Sequence, residues 1–173
     1  DRPAEAAIGM ISLNCRGPVL LAHHFGKRMR ERRRGGIMLL SSMAAMSGGS
    51  YIAVYNATKS FDMVLAEGLW HELKPVGVDA MCLVVGATLT PSMLASRDSF
   101  RSYPNIMQPL DVADEGLAFL GRGPLWVAGD HNRAVVAAMR PGSRVDAING
   151  LSHATASIYG LPPVTVAGED FNA

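Results

Sequence analysis

IMLLSSMAAMSGGSYIAVYNATKSFDMVLAEGLWHELKPVGVDAMCLVV, residues 37–85, decides the fold. Its first run, IMLLSS (37–42), is short and apolar. Gly35-Gly36 bounds it on one side and a polar, glycine-containing loop on the other, as for a buried parallel strand. From about Tyr51 to Leu73, the residues Phe61, Leu65, Leu69 and Leu73 recur every four positions and predict one face of a helix. Lys74-Pro75-Val76-Gly77 ends that helix, and VDAMCLVV (78–85) reads as the next buried strand. A strand, a helix of about twenty residues and another strand form a βαβ unit, whose right-handed crossover predicts an open α/β sheet.

Outward from this unit the chain keeps the same alternation. Upstream, a helix is expected from just after Asp1-Arg2-Pro3, through AAIGMISLNCRGPVLLAHHFGKRMRE, to Gly35-Gly36; Pro3 suits a first turn and Glu5 complements the dipole. Downstream, a loop spans Gly86 to Gln108, with a short helix near Ser92 to Ser99. A helix from about Asp111 to Leu120 and a third strand, GPLWVAG (123–129), follow. A helix after Asp130, a turn at Pro141-Gly142, a last helical stretch to about Tyr159 and a polar tail after Pro162-Pro163, expected to be mobile, complete the chain. Residues 1–173 are read as one domain, with about 141–173 as its C-terminal helix and tail.

Composition agrees with a single packed core: 173 residues, 49% apolar and 18% charged. A formal net charge of +1 gives no global attraction to nucleic acid or membrane, and no apolar run approaches the length of a spanning helix. Cys15 and Cys82 sit in apolar patterns without metal or redox spacing, so both are expected to be buried reduced thiols, which favours the cytoplasm. The chain opens at Asp1 rather than at a methionine, which suggests a processed or incomplete product.

The chemistry concentrates in YNATKSF, residues 55–61. Only three of the 16 basic residues are lysines, and Lys59 stands one helical turn after Tyr55, so the two side chains share a face. A free tyrosine ionises near pH 10, and a nearby ammonium favours the phenolate, which brings the group into range for proton transfer. Ser42, thirteen residues before Tyr55, ends the first strand, where open α/β sheets place ligands. Its hydroxyl could hold a carbonyl oxygen against the tyrosine. Asn14 is an amide in the middle of an apolar helix, and Pro18, four residues on, cannot donate to its carbonyl. We read this as a built kink that frees a backbone acceptor for a water, and through it for Lys59.

Asn14, Ser42, Tyr55 and Lys59, in the contexts SLNCRGP, IMLLSS and YNATK, resemble the catalytic tetrad of the short-chain dehydrogenase/reductases. A bare Tyr-x-x-x-Lys is a weak signal, but four residues at these mutual spacings are a strong one. The resemblance implies a partial Rossmann-like, doubly wound parallel sheet, family strands five to seven with flanking helices. It also implies carbonyl/alcohol interconversion by hydride transfer with NAD or NADP. In such enzymes the tyrosine exchanges the substrate proton, the serine polarises the carbonyl, the lysine tunes the tyrosine and binds the nicotinamide ribose, and the asparagine anchors a water relay. VVGATLTPSM (84–93) is similar to the family's Pro-Gly segment after the sixth strand, which makes Gly86, Thr88 and Thr90 candidate cofactor contacts; Val85 replaces the proline. The segment reads equally as a strand-to-loop turn that needs glycine.

The family's glycine-rich turn, its acidic or basic selector and its Asn-Asn-Ala-Gly stretch do not occur in this sequence; SGGS (47–50) and GRGP (121–124) lack the strand and helix context for phosphate binding. The chain is therefore expected to be the carboxyl-terminal half of such an enzyme. Isolated, it should expose an apolar strand edge, self-associate, bind NAD(H) or NADP(H) weakly and remain inactive. The implied partners are a small-molecule carbonyl or alcohol substrate, open in identity across the loop MLASRDSFRSYPNIM (93–107), and a second copy of the chain through the Asn14 and Tyr55 helices. The competing reading is a truncated, non-catalytic interaction module built on the same two helices.

The remaining signals are structural. KRMRERRR (27–34) has no interleaved aromatics and lies at a helix carboxyl end, where cations complement the dipole. His23 and His24 do not share a helix face, and His71-Glu72 lacks the second histidine of a metalloprotease motif, so no metal is implied. Phe61 and Trp70 are expected on a packed helix face rather than on a stacking platform.

Overall fold

The computed structural model describes residues 3–96, 103–139 and 143–167. Helix α1 (Ala4–Ile11) runs through a wider π-helical turn, Ser12–Arg16, into α2 (Gly17–Glu31). In that turn the Gly17 N–H donates to the Ser12 carbonyl, five residues back. The expected kink at Pro18 thus takes the form of one extra residue per turn.

Strands β1 (Gly35–Ser42), β2 (Val78–Val85) and β3 (Leu125–Val127) form a parallel sheet in the order β1-β2-β3. β1 and β2 pair along their whole length, from Gly35 opposite Val78 to Ser42 opposite Val85. β3 pairs with β2 over three residues only, Cys82 opposite Leu125 to Val84 opposite Val127. Between the first two strands lie a 3-10 turn (Met43–Ala45), helix α3 (Ala53–Leu73) and a second 3-10 turn (Lys74–Val76). Gly77 closes that turn at φ 77°, and a Cβ there would lie 2.7 Å from the Arg33 carbonyl oxygen, so only glycine serves. Helices α4 (Pro91–Ser96), α5 (Pro109–Phe119), α6 (Asp130–Met139) and α7 (Arg144–Tyr159) complete the described elements.

The central strand is covered on both faces, which is why it reads as an apolar run from Ala80 to Val85. Leu39, Ala66, Cys82, Val84 and Val127 form the core on the α3 face, with Ile37, Met63, Leu65 and Leu69 packed against them. Met81, Leu83, Val112 and Ala128 form the core on the α5 face, with Met38 and Trp126 beside them. A Cβ on Gly116 would come within 2.6 Å of Leu83, so α5 approaches the sheet as closely as its backbone allows.

Three expectations change, and that for Trp70 holds. Phe61 is 38% exposed, whereas Ala66 and Asp62 are buried. Residues four apart advance 400° around a helix of 3.6 residues per turn, so a stripe read at that spacing drifts off the core-facing line. Trp70 is packed against the cluster of Leu73, Val78 and Ala80. Cys82 is buried, but Cys15 is only half-buried, in a π turn none of whose residues is buried. Up to residue 167 the tail is held rather than loose, and the rest of it lies outside the described residues: the Tyr51 hydroxyl donates to the Pro162 carbonyl (2.8 Å), and Asn149 bonds both the N–H and the carbonyl of Val166 (3.0 Å each). The turn expected at Pro141-Gly142 and residues 97–102 of the expected substrate loop lie outside the described residues. Among the described residues, no helix is long and apolar enough to cross a membrane.

Candidate active site

Ser42 is the last residue of β1 and caps the 3-10 turn that follows, its Oγ accepting the Ala44 N–H at 3.2 Å. That leaves the hydroxyl proton available for a second partner. Two bonds fix the start of α3 against this strand end: Ser41 Oγ donates to the Lys59 carbonyl (2.7 Å) and Ser60 Oγ to the Ala45 carbonyl (2.8 Å). Asn56, with its amide oriented to satisfy both neighbours, donates to the Ile52 carbonyl (3.0 Å) and accepts the Gly49 N–H (2.8 Å), so the loop entering the helix is closed as well. Tyr55 and Lys59 therefore stand on the first two turns of a helix whose position relative to Ser42 is set by hydrogen bonds on each side.

The Lys59 ammonium has two described partners, the Leu40 carbonyl at 2.8 Å and Asp62 Oδ2 at 3.0 Å. Asp62 is 2% exposed, and its Oδ1 has no hydrogen-bond partner among the described residues. Burial pushes its carboxyl up, opposed by the hydrogen bond and charge of Lys59. Sequence reasoning missed Asp62; its place one turn after a candidate lysine, on a helix that also buries Asn56 and Thr58, does not by itself separate a buried carboxylate from a solvated one.

Asn14 joins the site through its side chain as well. Its Nδ2 donates to Thr58 Oγ1 at 3.1 Å, and Thr58 in turn donates to the Tyr55 carbonyl at 2.9 Å. The π turn and the start of α3 are thereby tied at the residue between Tyr55 and Lys59, a role for Thr58 that spacing did not reveal. The Asn14 carbonyl, as expected, receives no hydrogen from Pro18, which has none to give.

Gly86, Thr88 and Thr90 follow the carboxyl end of β2, one strand over from Ser42. Their described contacts are with neighbours in the fold, including an isolated parallel bridge between Thr88 and Met107. A Cβ on Gly86 would lie 2.5 Å from the buried Asn132 amide, Thr88 Oγ1 donates to the Gly86 carbonyl (3.1 Å), and Thr90 Oγ1 accepts the Met93 N–H at the start of α4 (3.2 Å). The need for glycine at residue 86 is thus accounted for by packing.

A second polar cluster, unread in the sequence, lies on the α5 side. Glu115 accepts from Trp126 Nε1 (2.8 Å), from the Gly129 N–H (2.9 Å) and from Arg133, which also reaches the Val127 carbonyl (2.7 Å) and Asp130. Phe119 stacks on Trp126 at 3.4 Å, with Arg122 and Arg133 each 4.8 Å from a ring on the outer sides. The cluster fastens the short β3 between two helices and touches none of the candidate site residues.

Comparison with known proteins converges on one group. The family model described as short chain dehydrogenase matches residues 3–100. A 7beta-hydroxysteroid dehydrogenase of Clostridium sardiniense is 32% identical over 125 residues, covering 72% of this chain and 48% of that protein. A solved structure described under 7beta-hydroxysteroid dehydrogenase stereoselectivity superposes with a TM-score of 0.77 at 27% identity, over 87% of this chain and 59% of that one. A short-chain dehydrogenase from Sphingobium yanoikuyae, solved in complex with NADPH, shares the fold at a TM-score of 0.66 and 24% identity, over 96% of this chain and 61% of that one. The chain thus spans about half the length of the curated relatives it matches.

Proposed function

The chain belongs to the short-chain dehydrogenase family, and from that premise we propose that the protein interconverts a carbonyl and an alcohol with NAD or NADP, Tyr55 serving as the acid and base. The observation that carries this reading is the Tyr55-Lys59 pair on the first turns of α3, fixed beside Ser42 at the carboxyl end of β1 by the Ser41 and Ser60 bonds.

The donor set suits the nicotinamide riboside portion of such a cofactor. An ammonium has three hydrogens, and Lys59 gives two of them to Leu40 and Asp62, leaving one for a ribose hydroxyl. Thr90 keeps its own hydroxyl proton and Thr88 keeps acceptor capacity, beside Gly86 at the end of β2. Bound there, the cofactor supplies or takes the hydride. In the reduction direction, Tyr55 gives its phenolic proton to the carbonyl oxygen as that oxygen gains charge. Ser42, already holding the Ala44 N–H, donates its proton to the same oxygen and keeps it in line. Lys59 favours the phenolate left behind, and the Asn14 carbonyl is the acceptor we assign to the end of the proton path.

The relatives named for 7beta-hydroxysteroids support a bulky, apolar secondary alcohol as the substrate class. The test is Tyr55→Phe in the intact protein, assayed with a 7beta-hydroxysteroid and each of NAD and NADP. Removing the transferable proton while keeping the ring should lower turnover at least about a hundredfold. Near-normal turnover would take Tyr55 out of the mechanism.

A further inference from the structure

We infer that Asp62 is a positioning residue for Lys59: its carboxylate clamps the ammonium against the Leu40 carbonyl and offsets part of the charge that Lys59 presents to Tyr55. This rests on the reading of Tyr55 and Lys59 given above. Asp62 follows Lys59 by three residues on α3, so both side chains fall on the inner side of the same turns. The ion pair is almost fully removed from solvent on the aspartate side, 2% exposed against 16% for the lysine.

An aspartate is a costly residue for that place. One carboxylate oxygen holds Lys59, while the other is buried with no partner among the described residues. Buried ion pairs seldom exceed the stability of an apolar replacement, and an unpaired buried oxygen adds to the cost. The gain is sought in the geometry it imposes. A lysine side chain is long and flexible, and with two fixed partners on different elements, Asp62 on α3 and Leu40 on β1, its ammonium is confined to the carboxyl end of the sheet.

The charge balance around the pair is simple. On the same helix Asp62 faces Lys59; from the π turn it faces Cys15 and from β2 Cys82. Burial, reinforced by Asp62, pushes the Cys15 thiol up, and the Cys82 thiol is pushed up to about 12, mainly by burial. Both thiols are neutral near pH 7. Among the described contacts Lys59 then has Asp62 as its counter-charge, with Glu67 also acting on Cys82, so removing the Asp62 charge would leave the Lys59 ammonium without its ion-pair partner.

The experiment follows tyrosine ionisation by ultraviolet absorbance in the intact protein without cofactor, with Tyr55→Phe identifying the step that belongs to Tyr55. In Asp62→Asn, Tyr55 should ionise at lower pH than in the wild type, because Lys59 loses its counter-charge. Asp62→Glu, which keeps the charge, should restore most of the difference. With the ammonium less confined, the Kd of NADH or NADPH in Asp62→Asn should rise by up to about tenfold, one charged hydrogen bond's worth. Thermal stability should stay level or rise. An unmoved Tyr55 step with unchanged cofactor affinity would reduce Asp62 to packing, whatever happened to stability. Should Asp62→Asn fail to fold, Asp62→Ser carries the same expectations. If the Tyr55 step moves while Tyr55→Phe retains turnover, the coupling stands and the catalytic reading of Tyr55 falls. If Tyr55→Phe is inactive and the step does not move, only the role of Asp62 falls.

Discussion

Burial raises the Glu115 carboxyl, yet hydrogen bonds from Trp126, Arg133 and the Gly129 amide outweigh it and hold the group below its ordinary value of 4.5. A carboxylate whose folded value is depressed contributes stability that is present above its unfolded value and lost as pH falls through the folded one. Glu115→Gln should therefore destabilise the protein by about 1–3 kcal/mol near neutral pH, leaving Arg133 with a neutral partner. The difference from wild type should shrink as the pH falls below 4.5, measured by urea unfolding across that range. A pH-independent difference would mean that shape, not charge, is what Glu115 supplies. Asp62 has the opposite sign: its folded value is raised, so its ionisation works against the fold as pH rises above 3.8. Two carboxylates on facing sides of one sheet thus carry opposite pH signatures, and only the one beside Lys59 is the unfavourable one.

At the scale of elements, the π turn connects sequence to site. Pro18 withholds a hydrogen bond from the Asn14 carbonyl, and the helix accommodates one additional residue in Ser12–Arg16. One extra residue rotates everything before it by about 100° relative to a regular helix. The turn thereby sets which face of α1 meets α3 and brings Asn14 onto Thr58. Pro18→Ala restores a donor, so the turn should relax toward a regular helix, with stability equal or higher by up to about 3 kcal/mol and activity reduced. A helix shown by crystallography to have straightened, with activity intact, would leave Pro18 only a packing role. The limits of sequence reading are visible in the same elements. β1, α3 and β2 were legible because each is long and covered on a definite side, whereas Tyr55, Lys59 and Ser42 stood out as candidates through their mutual spacing alone. Asp62 and Thr58 were not, since nothing in a helical pattern separates a buried polar residue from a solvated one until its neighbours are placed. Glu115, Trp126 and Arg133 meet only because β3 turns back between α5 and α6, and their spacings carry no period.

For the whole molecule, the decisive feature is the outer edge of β1. Among the described residues the sheet ends there with an eight-residue strand, whereas β3 at the other edge spans three residues. Long, apolar edges offer unpaired backbone groups to other chains, and Leu40 on this edge is 54% exposed. The groove beside it is lined by Leu13, Leu21, Phe25, Met38 and Leu40, and Leu13, Leu21 and Phe25 are exposed on the helix side, so backbone donors and apolar surface lie together. Residues 1–173 purified alone should therefore self-associate, and light scattering should give masses above that of one chain. Leu40→Lys places a charge on the edge without touching the core, and should shift the population toward the monomer, since charged edges resist strand addition. The same substitution sits beside the carbonyl that holds Lys59, but acts through its side chain and leaves the backbone acceptor in place. A wild-type chain that stays monomeric at high concentration would show that α1 and α2 shield the edge well enough, and would move the origin of any assembly to the exposed helix faces instead.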